Sequence, residues 1–252
     1  MPHQKNELLA RLSAGDFRHV QPNLRVIDLQ QGVVLANTHQ PIHDVYFPQS
    51  GIISCVVETT SGDAIETGMI GRDGVFGAGQ AFDHKISLNK VVMQVEGAAS
   101  VMDGNKLREV ADAMPSFRTL LVDYDQFFLG QVQQSAVCNA LHHVEARMCR
   151  WLLRMHQLVG PDLPLTQEFL AQMMGVRRTS VTDVASSLQK AGLISYVRGR
   201  IHIVDIEAVR QRSCECEENV RSHHDIIFGA PTNGAPSGPK PTGTAWTSSA
   251  FR

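Results

Sequence analysis

Residues 165–200, LTQEFLAQMMGVRRTSVTDVASSLQKAGLISYVRGR, read as two short helices meeting at a tight turn, followed by a basic hairpin. Thr166 can cap a first helix in which Phe169, Leu170 and Met173 recur at helical spacing, and Ala171 is the small side chain that a closely crossing second helix needs. Gly175 tolerates the left-handed backbone of the interhelical turn. Beyond it Val176, Val181, Val184 and Leu188 form a buried stripe, which turns Arg177, Arg178, Thr179, Thr182, Asp183, Ser186 and Gln189 outward. Short hydrogen-bonding and cationic groups on one exposed helix suit base edges in a major groove. After Ala191-Gly192, two alternating strands flank Arg198-Gly199-Arg200, a hairpin with cations at its tip. The segment reads as a winged helix-turn-helix with Thr166, Arg177, Arg178, Thr179, Thr182, Asp183, Ser186, Arg198 and Arg200 as candidate DNA-binding residues. An ordinary helical hairpin beside an ordinary β-hairpin would show any one of these features, whereas their conjunction points to duplex DNA.

A chain of 252 residues with net charge −2 has room for two cores and is not basic as a whole. The basic character is local: residues 165–204 carry five cations against Glu168 and Asp183, a net of +3 on the element that would meet phosphate. No apolar run approaches the roughly 20 residues of a membrane span, and MPHQKNELLARL lacks the apolar centre of a signal peptide, so the expected location is the cytoplasm, with no membrane partner. The five cysteines, Cys55, Cys138, Cys149, Cys214 and Cys216, form no paired framework and read as reduced thiols. Cys214 and Cys216 are too close in sequence to face the same way on a helix, and no second pair completes a zinc site, so neither metal nor cofactor is expected. Residues 229–252, rich in Gly, Pro, Ser and Thr without apolar period, read as a disordered tail.

Upstream the pattern is different. VIDL, GVVLA, DVYF, GIISCVVET, AIETGMI, KVVMQVEG and AASVM alternate between turn residues, the signature of an antiparallel barrel or jelly roll over residues 8–114. Pro115 can open a long helix over residues 115–139. In it Phe117, Leu121, Tyr124, Phe128, Gln131, Ser135 and Cys138 recur at spacings of four and three, as in a two-stranded coiled coil. That seam is expected to face a second subunit, with Leu120 and Phe127 packing back on the barrel, although the same spacing would suit the core helix of a monomer. A symmetric dimer would hold two reading heads roughly 34 Å apart on a palindrome. A hinge near Asn139 then leads into a helix with Val144, Met148, Trp151, Leu152 and Met155 on one face, inside a DNA-binding domain spanning residues 140–228.

The fold class expected is therefore α+β. The order of barrel, long helix and winged helix-turn-helix resembles the Crp/Fnr superfamily of bacterial transcription regulators over residues 8–209, with DVYFPQSGIIS and GMIGRDGVFGAG similar to its cyclic-nucleotide-binding fold. The resemblance implies a homodimer that binds promoter DNA and recruits or obstructs RNA polymerase, under a small-molecule effector that the sequence does not name. Members that bind cyclic AMP carry a Gly-Glu-Leu turn and, further on, an Arg-Ser/Thr-Ala, whose glutamate and arginine take the ribose hydroxyl and the phosphate. Here the matching stretches, the possible ligand pocket, are Gly77-Ala78-Gly79 and Asn89-Lys90-Val91, so both charged partners are missing. Lys90 could supply a point charge without the bidentate fork of arginine. Family members often place a glutamate, then an arginine four residues on, in the recognition helix; Thr179 and Asp183 stand there, while Arg178 fits a base-reading arginine.

A metal-dependent cupin-type enzyme is the alternative from another class. It would need His-x-His and a nearby Glu converging from strands, and His39 and His43 stand alone at a turn. Haem ligation by a histidine, or another small-ligand sensor on the same architecture, is a further alternative.

Overall fold

The computed structural model describes residues 2–81 and 86–229; the Gly/Pro-rich segment from residue 230 onward lies outside them. The architecture is α+β, as the sequence implies. Two short helices, α1 (Glu7–Ala10) and α2 (Ala14–Val20), precede the barrel. Asn6 fastens them: fully buried, its Oδ1 accepts from Leu8 N and Leu9 N while its Nδ2 donates to Pro48 O and Gly74 O. One side chain thus caps a helix and satisfies two loop carbonyls that burial would otherwise orphan.

The strands are β1 (Arg25–Leu29), β2 (Val34–Ala36), β3 (Asp44–Pro48), β4 (Ile52–Glu58), β5 (Ala64–Ile70), β6 (Lys90–Val95) and β7 (Gly97–Asp103), with the short α3 (Ala78–Ala81) between β5 and β6. They pair antiparallel in two sheets, ordered β1-β7-β3 and β2-β6-β4-β5. Each corresponds to one alternating segment of the sequence. Val45, Phe47, Ile53, Cys55, Val91, Met93, Ala99 and Val101 fill the space between the sheets.

Helix α4 (Gly104–Ala113), capped by Asp103, leads to α5 (Pro115–Leu141), which has its proline in the first turn. Here the structure corrects the sequence reading. Phe117, Leu121, Tyr124, Gln131, Ser135 and Cys138 are buried within their own protomer, and Phe128 is half-buried there. Phe117, Leu121 and Tyr124, with Phe127, join the barrel core. The cause is the surface they meet. A Cβ on Gly68 would lie 2.8 Å from the Phe128 ring, and one on Gly74 would lie 2.2 Å from the Tyr124 hydroxyl. The two glycines are depressions into which these rings sink, and Gln131 Oε1 adds an acceptor for Met69 N. The helix runs to Leu141, and the joint falls at His142-His143 rather than near Asn139, because Asn139, Ala140 and Leu141 contain no helix breaker.

Helix α6 (Val144–Val159) buries Met148, Trp151, Leu152 and Met155, as its periodicity implies. There follow β8 (Asp162–Leu163), α7 (Gln167–Met174), α8 (Arg178–Lys190), β9 (Ile194–Val197), β10 (Arg200–Ile203), α9 (Ile206–Arg212) and α10 (Cys216–Phe228). A second core joins α6, α7, α8 and the hairpin to Ile52, Val56, Ala64 and Met69 on the outer face of β4 and β5. Helix α10 leaves the winged domain and packs along α5, where Val220, Ile227 and Phe228 reach the barrel core and Arg11 donates to Phe228 O.

Candidate nucleic-acid interface

Helices α7 and α8 cross through Leu170, Ala171, Met174, Val181, Ala185 and Leu188, all buried. Thr166 caps α7 by accepting from Phe169 N at 3.1 Å. Gly175 closes α7 at φ 62 and ψ 42, a left-handed residue whose N–H reaches the Ala171 and Gln172 carbonyls. A Cβ there would also lie 2.7 Å from Ile65 Cδ1 of the barrel, so the left-handed backbone favours glycine and a side chain would have to displace the Ile65 tip.

With the buried stripe of α8 fixed, Arg177, Arg178, Thr179, Thr182, Asp183 and Ser186 are exposed. Thr182 Oγ1 lies 2.8 Å from Gln167 Oε1, which bridges the two helices. Arg178 Nε lies 3.5 Å from Glu168 Oε2, an exposed contact that a competing partner breaks at small cost. Arg177 caps α8 without a side-chain acceptor, its carbonyl accepting from Ser180 N and Val181 N, so the start of α8 carries two guanidinium groups and no capping side chain.

The hairpin β9–β10 turns through Arg198 at φ 47 and Gly199 at φ 78, and a two-residue loop with both φ positive matches the twist of its strands. Gln189 Oε1 accepts from Tyr196 N at 2.8 Å, tying the end of α8 to the wing. Thr166 Cγ2 lies 3.4 Å from the position of a Gly199 Cβ, so the wing tip sits beside the cap of α7. Arg198 and Arg200 are exposed at that tip. All nine residues singled out from the sequence are exposed, at the cap of α7, on or beside α8, or at the wing tip.

The possible ligand pocket does not assemble in the same way. Gly77 and Ala78 are buried, and Gly79 lies against the Asp125 carboxylate of α5. Lys90 begins β6, where its Nζ donates to Glu58 Oε1 at 2.8 Å on the neighbouring strand. A cavity of about 1010 Å³ lies between β5, α5, α6 and α10 and is lined by none of these five. Sequence reasoning missed two polar contacts beside it. In one, Arg154 donates to both Asp73 oxygens at 2.6 and 3.1 Å; in the other, Trp151 Nε1 donates to Glu66 Oε1 at 2.8 Å.

His39 and His43 are exposed, and neither joins a metal-holding group among the described residues. The cysteine reading needs correction. Cys214 lies in the link after α9, not on a helix with Cys216, and both approach Cys138 and His142, one turn apart at the end of α5. The missing second pair comes from a distant helix.

A barrel joined through a long helix to a winged helix-turn-helix is the architecture these elements build. Residues 146–212 match the Crp-like helix-turn-helix domain, and the fold is similar over 83% of the chain to that of a solved crp/fnr-family regulator. A transcriptional regulator of the crp/fnr family from Eubacterium rectale is similar with a TM-score of 0.64 at 14% identity, over 83% of this chain and 98% of that one. FixK2 from Bradyrhizobium japonicum is similar with a TM-score of 0.65 at 12% identity, over 76% and 98%. The c-di-GMP responsive global regulator CLP of Xanthomonas campestris gives 0.62 at 16%, over 76% and 99%. Among curated proteins compared by sequence, none matches. No helix among the described residues is long and apolar enough to cross a membrane.

Proposed function

We propose that the protein is a sequence-specific transcription regulator, not an enzyme, that binds palindromic promoter sites as a homodimer in the cytoplasm and acts on RNA polymerase. The observation that carries this reading is the exposed, cationic face shared by α8 and the wing, on a Crp-like helix-turn-helix domain. Arg178 reads a base edge from the first turn of α8, with Thr179, Thr182, Asp183 and Ser186 along the same groove. Arg198 and Arg200 meet phosphate. Replacing Arg178 by Ala should cost about 1–3 kcal/mol on the preferred site and relax preference at one base pair per half-site. Arg200→Ala should weaken all sequences alike and lower the salt slope by about one unit. Fluorescence anisotropy on specific and random duplexes separates the two; equal loss on both duplexes for Arg178→Ala would refute the base-reading role.

The second subunit meets the outward face of α5. Val122, Leu129, Val137 and Leu141 are 53%, 56%, 46% and 75% exposed there, and Val122, Leu129 and Ala136 repeat every seven residues, the period of a two-helix seam. Leu129→Asp should raise the dimer dissociation constant at least about tenfold, since two carboxylates would be desolvated across that seam, while leaving the fold of the protomer intact. Sedimentation velocity with circular dichroism checks both. Phe128, seated on Gly68, is an intrasubunit residue and does not serve this test.

Cyclic AMP is not the effector of this reading, because Ala78 and Asn89 replace the acidic and cationic partners and Lys90 is engaged by Glu58. Calorimetric titration should detect no micromolar binding. Tight binding would identify Lys90 as a phosphate partner released from its ion pair.

A further inference from the structure

The cysteines at the end of α5 and the start of α10 do not belong to either hydrophobic core. Cys138, Cys214 and Cys216 are buried together as a separate cluster, and Ala146 is the partly buried apolar residue packed against it. Three buried sulfurs with one partly buried alanine against them make a poor core, since a thiol contributes little apolar area compared with the leucines around α6. They do make a donor set. Cys138 Sγ lies 3.5 Å from Cys214 Sγ, Cys216 Sγ lies 3.4 Å from His142 Nδ1, and the four ligand atoms are all within 4.8 Å of one another. With zinc–sulfur bonds of about 2.3 Å, the edge of a tetrahedron is about 3.8 Å; the two close pairs already lie near that length, and the widest separation must close by about 1 Å, within reach of side-chain rotation, to enclose one ion.

We propose that Cys138, His142, Cys214 and Cys216 bind a single zinc ion in a tetrahedral Cys3His site that clasps the end of α5 to the link between α9 and α10. Soft thiolates with one imidazole select zinc over the hard cations, which prefer oxygen. The compactness of the set favours one ion over an iron–sulfur cluster, which spreads its protein ligands over several metal atoms. The surroundings suit a bound ion as well. His142 Nε2 lies 3.2 Å from Glu215 Oε1, and this contact would fix Nδ1 as the coordinating nitrogen. Gln134 Nε2 donates to Cys216 Sγ at 3.1 Å, which supports a thiolate. On binding, the three thiols release their protons to solvent and the imidazole coordinates in its neutral form.

The local backbone explains why these four meet. Cys138 and His142 lie four residues apart on one face of α5, and His142 is its C-terminal cap, where the chain turns extended at ψ 148. Cys214 follows the cap of α9 and Cys216 opens α10, so the residue between them reverses no helix and both thiols face α5. The ion would therefore pin the joint between α5 and α6 to the segment that closes the winged domain.

The test is metal content and cobalt substitution on the full chain, purified under reducing conditions. Elemental analysis should find one zinc per chain, and Co(II) exchanged for it should show intense visible bands of a tetrahedral thiolate site. Cys216→Ser should abolish the bands. His142→Asn, at a half-buried position, keeps the test valid if a cysteine variant fails to fold; it should shift the bands and weaken zinc in a chelator competition. Glu215→Ala, a positioning change, should weaken zinc by about 10–100-fold. Folded, reduced protein that holds no stoichiometric zinc and gives no cobalt spectrum would overturn the proposal. So would a Cys138–Cys214 disulfide that, once reduced, still takes up no metal.

Discussion

Replacing Asp73 by Asn is expected to cost about 3–5 kcal/mol of stability, because it leaves the Arg154 guanidinium buried without its counter-charge. The Asp73 side chain is 7% exposed and that of Arg154 is 15% exposed, and two parallel hydrogen bonds at 2.6 and 3.1 Å join them. Burial opposes the charge on both groups. Their mutual attraction and hydrogen bonding outweigh it, holding the Asp73 carboxyl below its ordinary range and the Arg154 guanidinium above its own. At 2–4 °C per kcal/mol for a chain of this size, the melting temperature should fall by about 10 °C. Adding Arg154→Met to Asp73→Asn should recover much of that loss, since an apolar replacement of a buried pair is often close to neutral. A double variant no more stable than the single would show that Arg154 matters through its other contacts, at Met69 O and Gln157. The exposed pair Arg72–Glu7 is the internal control, and Arg72→Ala should change stability by less than about 1 kcal/mol. Asp73 belongs to the barrel and Arg154 to α6, so this variant also loosens the winged domain from the barrel.

What the sequence revealed and what it concealed divide along physical lines. Alternation located all seven barrel strands, because a strand buried on one face must alternate, and Pro115, Thr166, Gly175 and Arg198-Gly199 marked boundaries through their own backbone preferences. The reading face of α8 followed from its apolar stripe, since burying Val181 and Leu188 leaves Arg178 and Thr182 no direction but outward. The orientation of α5 was not readable in this way. Both of its faces carry apolar residues, and the choice depends on depressions at Gly68 and Gly74 in another part of the chain. Helix α10 escaped notice because three of its few apolar residues, Val220, Ile227 and Phe228, find partners on α5 and the barrel and not on neighbouring sequence. The cysteine and histidine cluster was hidden by distance, with Cys138 separated from Cys214 by 76 residues. Glu66 was concealed by its strand: in β5 it is buried while Ile65 is exposed, the reverse of ordinary alternation, because the winged domain covers that face.

That inversion sets up the second large effect. Trp151→Ala should destabilise the protein by about 3–5 kcal/mol, through the cavity left by a 7%-exposed indole, with a further loss that grows with pH. Burial pushes the Glu66 carboxyl up from 4.5 to about 7, although Ser54 Oγ, Trp151 Nε1, Arg150 and Arg154 all favour its ionised form. The folded protein therefore keeps a proton on Glu66 between pH 4.5 and about 7 that the unfolded chain has already released. Stability contributed by that proton is complete below pH 4.5, falls as pH rises through this window, and is lost above about 7, a span of roughly 3 kcal/mol. Glu66→Gln keeps the shape without the titration, so its stability relative to the parent should rise between pH 5 and 8. Denaturant unfolding of both proteins across that range isolates the term from every other titrating group. Removing Trp151 deletes a donor to the carboxylate, which should push Glu66 higher still and make the variant's deficit larger at pH 8 than at pH 5. A Glu66→Gln difference that stays constant with pH would mean that Glu66 is ionised throughout, solvated through the cavity it lines. The deficit of Trp151→Ala would then be that of the lost indole alone, the same at both pH values.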